Sequence, residues 1–218
     1  MKRAARVLGC LLVLSLVVGL VPTTAFAAGE AMAIQLGMGP IQDPTPSEEN
    51  GNIYYTPNSY LYYGVNNGTP IKWRVLDKDK ANDGITSGMF LLSEYLLASN
   101  VVFEKAWDSN DNDGQTKPND WQNSDAQNWC SSQLAKYFTA AEQGGMLEVS
   151  KTDDAVSSLY GLPWNTSSLS NEKLFFLSVQ ELADYVGDYG GALGLKATFA
   201  DGSAGVWWLR SPSADGNY

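Results

Sequence analysis

Four aspartates crowd one polar loop of this chain: Asp108, Asp111, Asp113 and Asp120 lie in or beside the run SNDNDGQTKPND, residues 109–120. Oxygen-bearing residues alternating ahead of a glycine are how an EF-hand loop wraps calcium. Setting Gly114 at that glycine puts Ser109, Asp111 and Asp113 on the first three ligand positions and Asp120 on the twelfth. The match is defective, because the first ligand should be Asp, the twelfth a bidentate Glu, and no helix pair flanks the loop. A solvated acidic loop is the preferred reading, with Asp108, Asp111 and Asp113 the residues to test for calcium. No other cofactor is implied.

Aromatic side chains offer a different chemistry. Trp and Tyr present a flat apolar body with a polar handle, which suits stacking on sugar faces and anchoring protein interfaces. Seven Trp and 11 Tyr exceed the expected needs of a core of this size. Trp73, Trp129, Trp207 and Trp208 fall in apolar patterns and read as core. Trp107, Trp121, Tyr160, Trp164 and Tyr189 fall in loops rich in Gly, Asn and Ser, and are the candidates for a ligand-binding surface, or else pins that hold the loops down.

Catalytic chemistry has less to work with. The chain contains no histidine, which excludes His-based triads, imidazole general bases and His-ligated zinc. Nucleophile elbows and phosphate loops are absent. Two carboxylates could hydrolyse a glycosidic bond, but no pair stands out among the 24 acids, and Glu142 and Glu181 already have capping roles. Cys130 sits beside Trp129 within a helical pattern and reads as a small buried hydrophobe.

The N-terminus sets the compartment. Lys2, Arg3 and Arg6 precede the apolar run VLGCLLVLSLVVGLVP, and small residues at Ala25 and Ala27 suit a signal peptidase cutting after Ala27. Residues 1–27 thus read as a Sec-type signal peptide, and the expected location is secreted or cell-surface. The apolar run is shorter than the ~20 residues a membrane span needs, so no membrane insertion is expected after cleavage. Cleavage removes three of the 14 basic residues and none of the 24 acids, moving the net charge by three units from −10 to −13. Such a surface repels phosphate backbones, which argues against nucleic-acid partners. Cys10 leaves with the leader, so Cys130 has no partner for an intramolecular disulfide.

Residues 28–51 are small, acidic and Pro-rich and read as a flexible linker, leaving residues 52–218 as one domain. NSYLYYG and IKWRVLD are two β-runs joined across VNNGTP, a hairpin signal. Ile71, Trp73 and Val75 share one face of the second run. Met89 to Leu92 reads as a buried strand handing over at Ser93 to one or two helical turns. Ser124 with Gln127, Thr139 with Glu142 and Ser178 with Glu181 are three capping boxes, each opening a short helix. Leu174 to Leu177 reads as a strand, and Trp207 to Arg210 as a central core strand covered on both faces. The fold class is α+β: a mostly antiparallel sheet, two or three short helices and long irregular loops.

PIKWRVLD, GMFLLSEYLL, WQNSDAQNWC, FTAAEQGGMLEVSKTDDA, LSNEKLFFLSVQELADY and AGVWWLRSP occur in the order that resembles the DUF6273 domain, an uncharacterised module of exported proteins from Clostridia and other Gram-positive bacteria. The resemblance covers roughly Tyr54 to Tyr218. It implies a secreted or surface module with no assigned activity. Relatives continue past the WWLRSP-like stretch through further strands, so the chain resembles a member whose C-terminal strands are missing. The Trp-Trp-Leu-Arg-Ser strand is also similar to C-type-lectin-like and sulfatase-modifying-factor-like domains, an analogy of fold that does not fix function.

The expected function is a non-catalytic recognition module that binds glycan or protein through loop aromatics and polar groups. A carbohydrate-active or wall-modifying enzyme using two carboxylates is the alternative, and a structural spacer the third reading.

Overall fold

The computed structural model describes residues 40–80, 88–104, 121–122, 124–151, 168–187 and 197–211 in full, and residues 8–9, 13–16 and 34–36 as strand backbone. Its centre is an antiparallel six-stranded sheet built on the run of β-branched and aromatic residues read from the sequence. Strand β6 (Tyr60–Asn66) turns through Asn67 and Gly68 into β7 (Thr69–Lys80), which pairs with β8 (Gly88–Ser93). Asn67 and Gly68 both have positive φ, 50° and 81°, the two-residue turn whose twist matches the flanking strands.

The sheet is completed by β3 (Ile34–Leu36) beside β6, and by β2 (Val13–Leu16) and β11 (Leu174–Phe175) beyond β8, in the order β11-β2-β8-β7-β6-β3. β2 comes from within the stretch read as a leader. It pairs antiparallel with β8 on one side and with β11 on the other.

Ile71, Trp73 and Val75 are buried on one face of β7 as the alternation requires. All six residues of β8 are buried, the pattern of a strand covered on both faces. The Trp73 indole N–H donates to the Tyr63 carbonyl at 2.8 Å, so the polar atom of this fully buried ring is satisfied. After Ser93 the chain bends without forming the expected helical turns.

Three helices occur among the described residues: α1 (Asp125–Tyr137), α2 (Ala140–Gly145) and α3 (Val179–Tyr185). Each starts where its predicted cap lies. Ser124, Thr139 and Ser178 accept the backbone N–H of Gln127, Glu142 and Glu181, supplying one of the donors a helix N-terminus leaves unpaired. Full reciprocal boxes form at Thr139 and Ser178. α1 buries Ala126, Cys130, Gln133 and Tyr137 at helical spacing. Burial pushes the Cys130 thiol pKa up, consistent with its reading as a core residue.

Two further regions differ from the sequence reading. Within the stretch read as a linker, β4 (Thr45–Glu49) forms a hairpin with β5 (Asn52–Thr56) through Asn50 and Gly51. Every β4 side chain is exposed, so a polar composition that cannot build a core still pairs its backbone. The last described strand, β13 (Ala204–Trp207), stops at Trp207 and belongs to a separate three-stranded sheet. It lies between β12 (Ala197–Thr198), antiparallel, and β1 (Leu8–Gly9), parallel. Val206 is 53% exposed, so this strand is not covered on both faces. Arg210, beyond it, is fully buried and bonds the carbonyls of Phe176 and Leu177.

The tryptophan content is likewise accounted for by packing. Trp73 and Trp121 are fully buried, and Trp129, Trp207 and Trp208 pack half-buried against the core. Phe103, Trp121, Phe176 and Trp129 form a chain of ring contacts with centroids 5.2–6.5 Å apart. Five of the seven Trp therefore serve the core, and Trp107 and Trp164 lie outside the described residues.

Candidate functional site

Two buried glutamates organise the region where the helices meet the sheet, and their surroundings differ sharply. Glu181 opens α3. Its carboxylate accepts the Ser178 N–H at 3.0 Å as the second half of the capping box, and two N–H groups of Arg210 at 2.5 and 3.0 Å. Lys151 Nζ lies 3.3 Å away. Burial opposes the charge on Glu181 and is the largest single influence, but Arg210, Lys151 and the Ser178 N–H together outweigh it and hold the carboxyl at about 2. Arg210 also donates to the Phe176 carbonyl at 2.7 Å, and its backbone N–H to the Leu177 carbonyl at 2.9 Å. The cluster staples three segments together.

Glu172 ends β10 (Leu169–Glu172), which pairs with β9 (Val149–Lys151). Its carboxylate accepts the Trp121 indole N–H at 2.9 Å and the Gln127 amide at 2.8 Å, with the Gln122 amide at 3.3 Å. Burial raises the Glu172 pKa; these hydrogen bonds, the Ser170 N–H and the charge of Arg210 oppose that without cancelling it. Among the described residues no cation touches Glu172 as Arg210 touches Glu181, and the two carboxyls shift in opposite directions.

Glu172 also lines a groove of ≈ 450 Å³ between the outer flank of α1, the end of α2 and β10. α1 contributes Gln127, Asn128 and Ser131, which the burial of Ala126 and Cys130 on its other side turns outward. β10 contributes Ser170, Asn171 and Glu172. Asn171 has φ 56°, at the register irregularity between β9 and β10, and is held by Ser150: its N–H donates to Ser150 Oγ, whose hydroxyl donates to Asn171 Oδ1, both at 3.0 Å. Lys173 reaches the Gln143 carbonyl at 3.1 Å and lies 3.9 Å from Glu148 on the rim. The groove thus presents amides, hydroxyls, carboxylates of Glu172 and Glu148, and the Lys173 ammonium. This is a hydrogen-bonding surface with donors and acceptors of both signs, and none of its described lining residues is aromatic.

Of the expected binding aromatics, Trp121 is described, and it requires a correction. It is 0% exposed and gives its indole N–H to Glu172, so it is an anchor of the loop end and offers no face to a ligand. Trp107, Tyr160, Trp164 and Tyr189 lie outside the described residues, as do Asp108, Asp111 and Asp113. Among the described residues, no group of three or more His, Cys, Asp or Glu side chains converges to hold a metal, and no helix is long and apolar enough to cross a membrane.

Gln122, Gln127, Asn171 and Glu172 escaped the sequence reading. Gln127 reads as a capping residue, and its backbone N–H does bond Ser124 at 3.0 Å. Its amide, however, turns to Glu172, 45 residues along the chain. The local signal was LSNE, a short, mostly polar run whose two ends, Leu169 and Glu172, are buried in the structure.

The family model for a domain of unknown function, DUF6273, matches residues 86–218. No curated protein and no solved structure matches the chain.

Proposed function

We propose that this chain, which belongs to the DUF6273 family of domains of unknown function, is an exported, non-catalytic recognition module that binds a glycan in the groove between α1 and β10. The observation that carries this reading is the lining: Asn128, Ser131, Ser170 and Asn171 bring amide and hydroxyl groups to one open groove. Paired donors and acceptors of this kind match the hydroxyls and acetamido groups of a sugar. The acidic composition, net −10 in the full chain, favours neutral or basic ligands over phosphorylated ones. Location outside the cell follows from the leader reading of residues 1–27. The test is a glycan array, followed by titration of the strongest oligosaccharide against the wild type, Asn171→Ala and Asn128→Ala. At least a tenfold loss in both variants is expected. An array with no binder, or a binder indifferent to both substitutions, removes the groove from consideration.

A carbohydrate-active enzyme is the second reading, favoured by one observation: Glu172 and Glu148 line the same groove, and the Glu172 pKa is raised as a general acid requires. Its ring of hydrogen-bond donors suits a fixed structural carboxylate better. Oligosaccharide cleavage abolished by Glu172→Gln would decide for the enzyme.

A further inference from the structure

The six-stranded sheet contains a lane one strand wide. β8 and β11 do not pair with each other; Val13–Leu16 runs between them, with Val13 opposite Leu92 and Phe175, Leu14 opposite Leu91 and Leu174, Ser15 opposite Phe90, and Leu16 opposite Met89. Neighbouring strands lie about 4.8 Å apart, so the two walls are roughly 10 Å from each other, room for one extended segment and no more. The wall residues Met89, Phe90, Leu91, Leu92, Leu174 and Phe175 are all buried. The Phe90 and Phe175 rings stack across the lane at 6.4 Å. Both walls are held independently of the occupant: β8 by β7, and the chain after β11 by Arg210, through the carbonyls of Phe176 and Leu177.

The occupant is the heart of the segment that export would remove. A chain that loses residues 1–27 loses this strand and leaves two rows of backbone N–H and C=O groups facing each other without partners inside an apolar sheet, a costly state. We propose that the lane between β8 and β11 is a strand-acceptor site. The unprocessed chain fills it with its own Val13–Leu16, and the processed chain takes there, antiparallel to β8, an extended uncharged apolar segment of a partner polypeptide. Backbone hydrogen bonds supply affinity and the buried walls supply selectivity, as in other strand-addition complexes. The segment must be apolar on both faces, because β8 is buried on both. A second copy of the processed chain has no such segment to give among its described residues, since Met89–Leu92 and Leu174–Leu177 are themselves built into its core. The inference rests on the leader reading used in the proposed function, and is independent of the groove.

The experiment starts from the intact chain, folded with a specific protease site placed between residues 17 and 33 and then cut. A dye-labelled peptide of residues 11–18 with lysines at both ends is offered in trans, beside a control peptide carrying Leu14→Asp and Leu16→Asp, and backbone hydrogen exchange is followed at residues 88–93 and 174–175. Expected are 1:1 exchange of the labelled peptide for the cut fragment, at least tenfold slower hydrogen exchange along both walls when it is bound, and no effect of the control. A cut chain that unfolds when the fragment leaves and refolds with the peptide supports the proposal equally; one the peptide does not recover counts against it. Walls that stay protected after the fragment has gone, or a control peptide that binds as well, overturn it. The N-terminal sequence of the exported protein separates the two readings: a chain still carrying Val13–Leu16 overturns the proposal through failure of the leader reading, whereas loss of residues 1–27 without peptide binding overturns the lane alone.

Discussion

At the scale of single residues, the Glu181–Arg210 pair is where the structure is most exacting. Both side chains are buried, and removing Arg210 leaves the Glu181 carboxylate with only Lys151 and the Ser178 N–H to offset its burial, a loss on the order of 3 kcal/mol. Arg210→Met should therefore lower the urea midpoint strongly at pH 7. Folding moves the Glu181 carboxyl from its ordinary 4.5 down to about 2. Its contribution, about 3 kcal/mol by the usual conversion, is complete above the unfolded value and is lost as the pH falls from about 4.5 towards 2. The difference between wild type and Arg210→Met should shrink over that window, which unfolding curves at pH 7, 5 and 3 would show. A difference constant with pH would mean that the pair acts by packing alone. Glu172 works in the opposite sense: its raised pKa makes its share of stability greatest when protonated and reduces it as the pH rises through the folded value.

At the scale of elements, the helix caps do more than start helices. The Glu142 carboxylate accepts the Thr139 N–H at 2.7 Å to close its box, and also the N–H of Gly64 in β6 at 3.1 Å; the Tyr63 hydroxyl donates to the Glu142 carbonyl at 2.5 Å. α2 is thereby locked against β6, and Gly64 is the residue that permits the approach. It has φ +71°, and a Cβ there would lie 2.5 Å from the Phe138 ring and 2.8 Å from the Tyr137 carbonyl. Gly68 has a similar φ, +81°, but open space around it. Gly64→Ala should therefore destabilise by about 2–4 kcal/mol, strain and clash combined, and Gly68→Ala by about 1 kcal/mol, strain alone. Equal thermal shifts in the two variants would refute the close approach. Cap identities were legible in sequence because Ser or Thr followed by Glu or Gln three residues later acts over one helical turn. The second use of Gln127 and Glu142, reaching β10 and β6, was not legible, because nothing local encodes which distant strand a helix end will meet.

At the scale of the whole molecule, stability should be uneven. β7 and β8 sit inside the large sheet with buried faces, whereas the β4–β5 hairpin has an entirely exposed β4 and an Ile53 that is 47% exposed. Native-state hydrogen exchange should find the slowest amides in β7 and β8 and at least a hundredfold faster exchange in β4, since local opening of the hairpin uncovers little apolar surface. Uniform protection would show that the hairpin is coupled to the global unfolding.

The sequence by itself determined the α+β class, the β6–β7 hairpin with its Asn-Gly turn, the buried β8 and the starts of the three described helices, because these depend on periodicity and on contacts within a few residues. It also determined family membership through the ordered motifs ending in AGVWWLRSP. Only the tertiary structure decided that Trp121 is a buried anchor for Glu172, that Arg210 neutralises Glu181 from 29 residues away, and that the strand ending at Trp207 stands in a small half-exposed sheet. It also decided that Val13–Leu16 fills the lane between β8 and β11. Each of these depends on long-range proximity: whether an indole faces a ligand or a carboxylate, and whether a strand has neighbours, is settled by segments far away in the chain, and side-chain type and spacing carry no record of that distance.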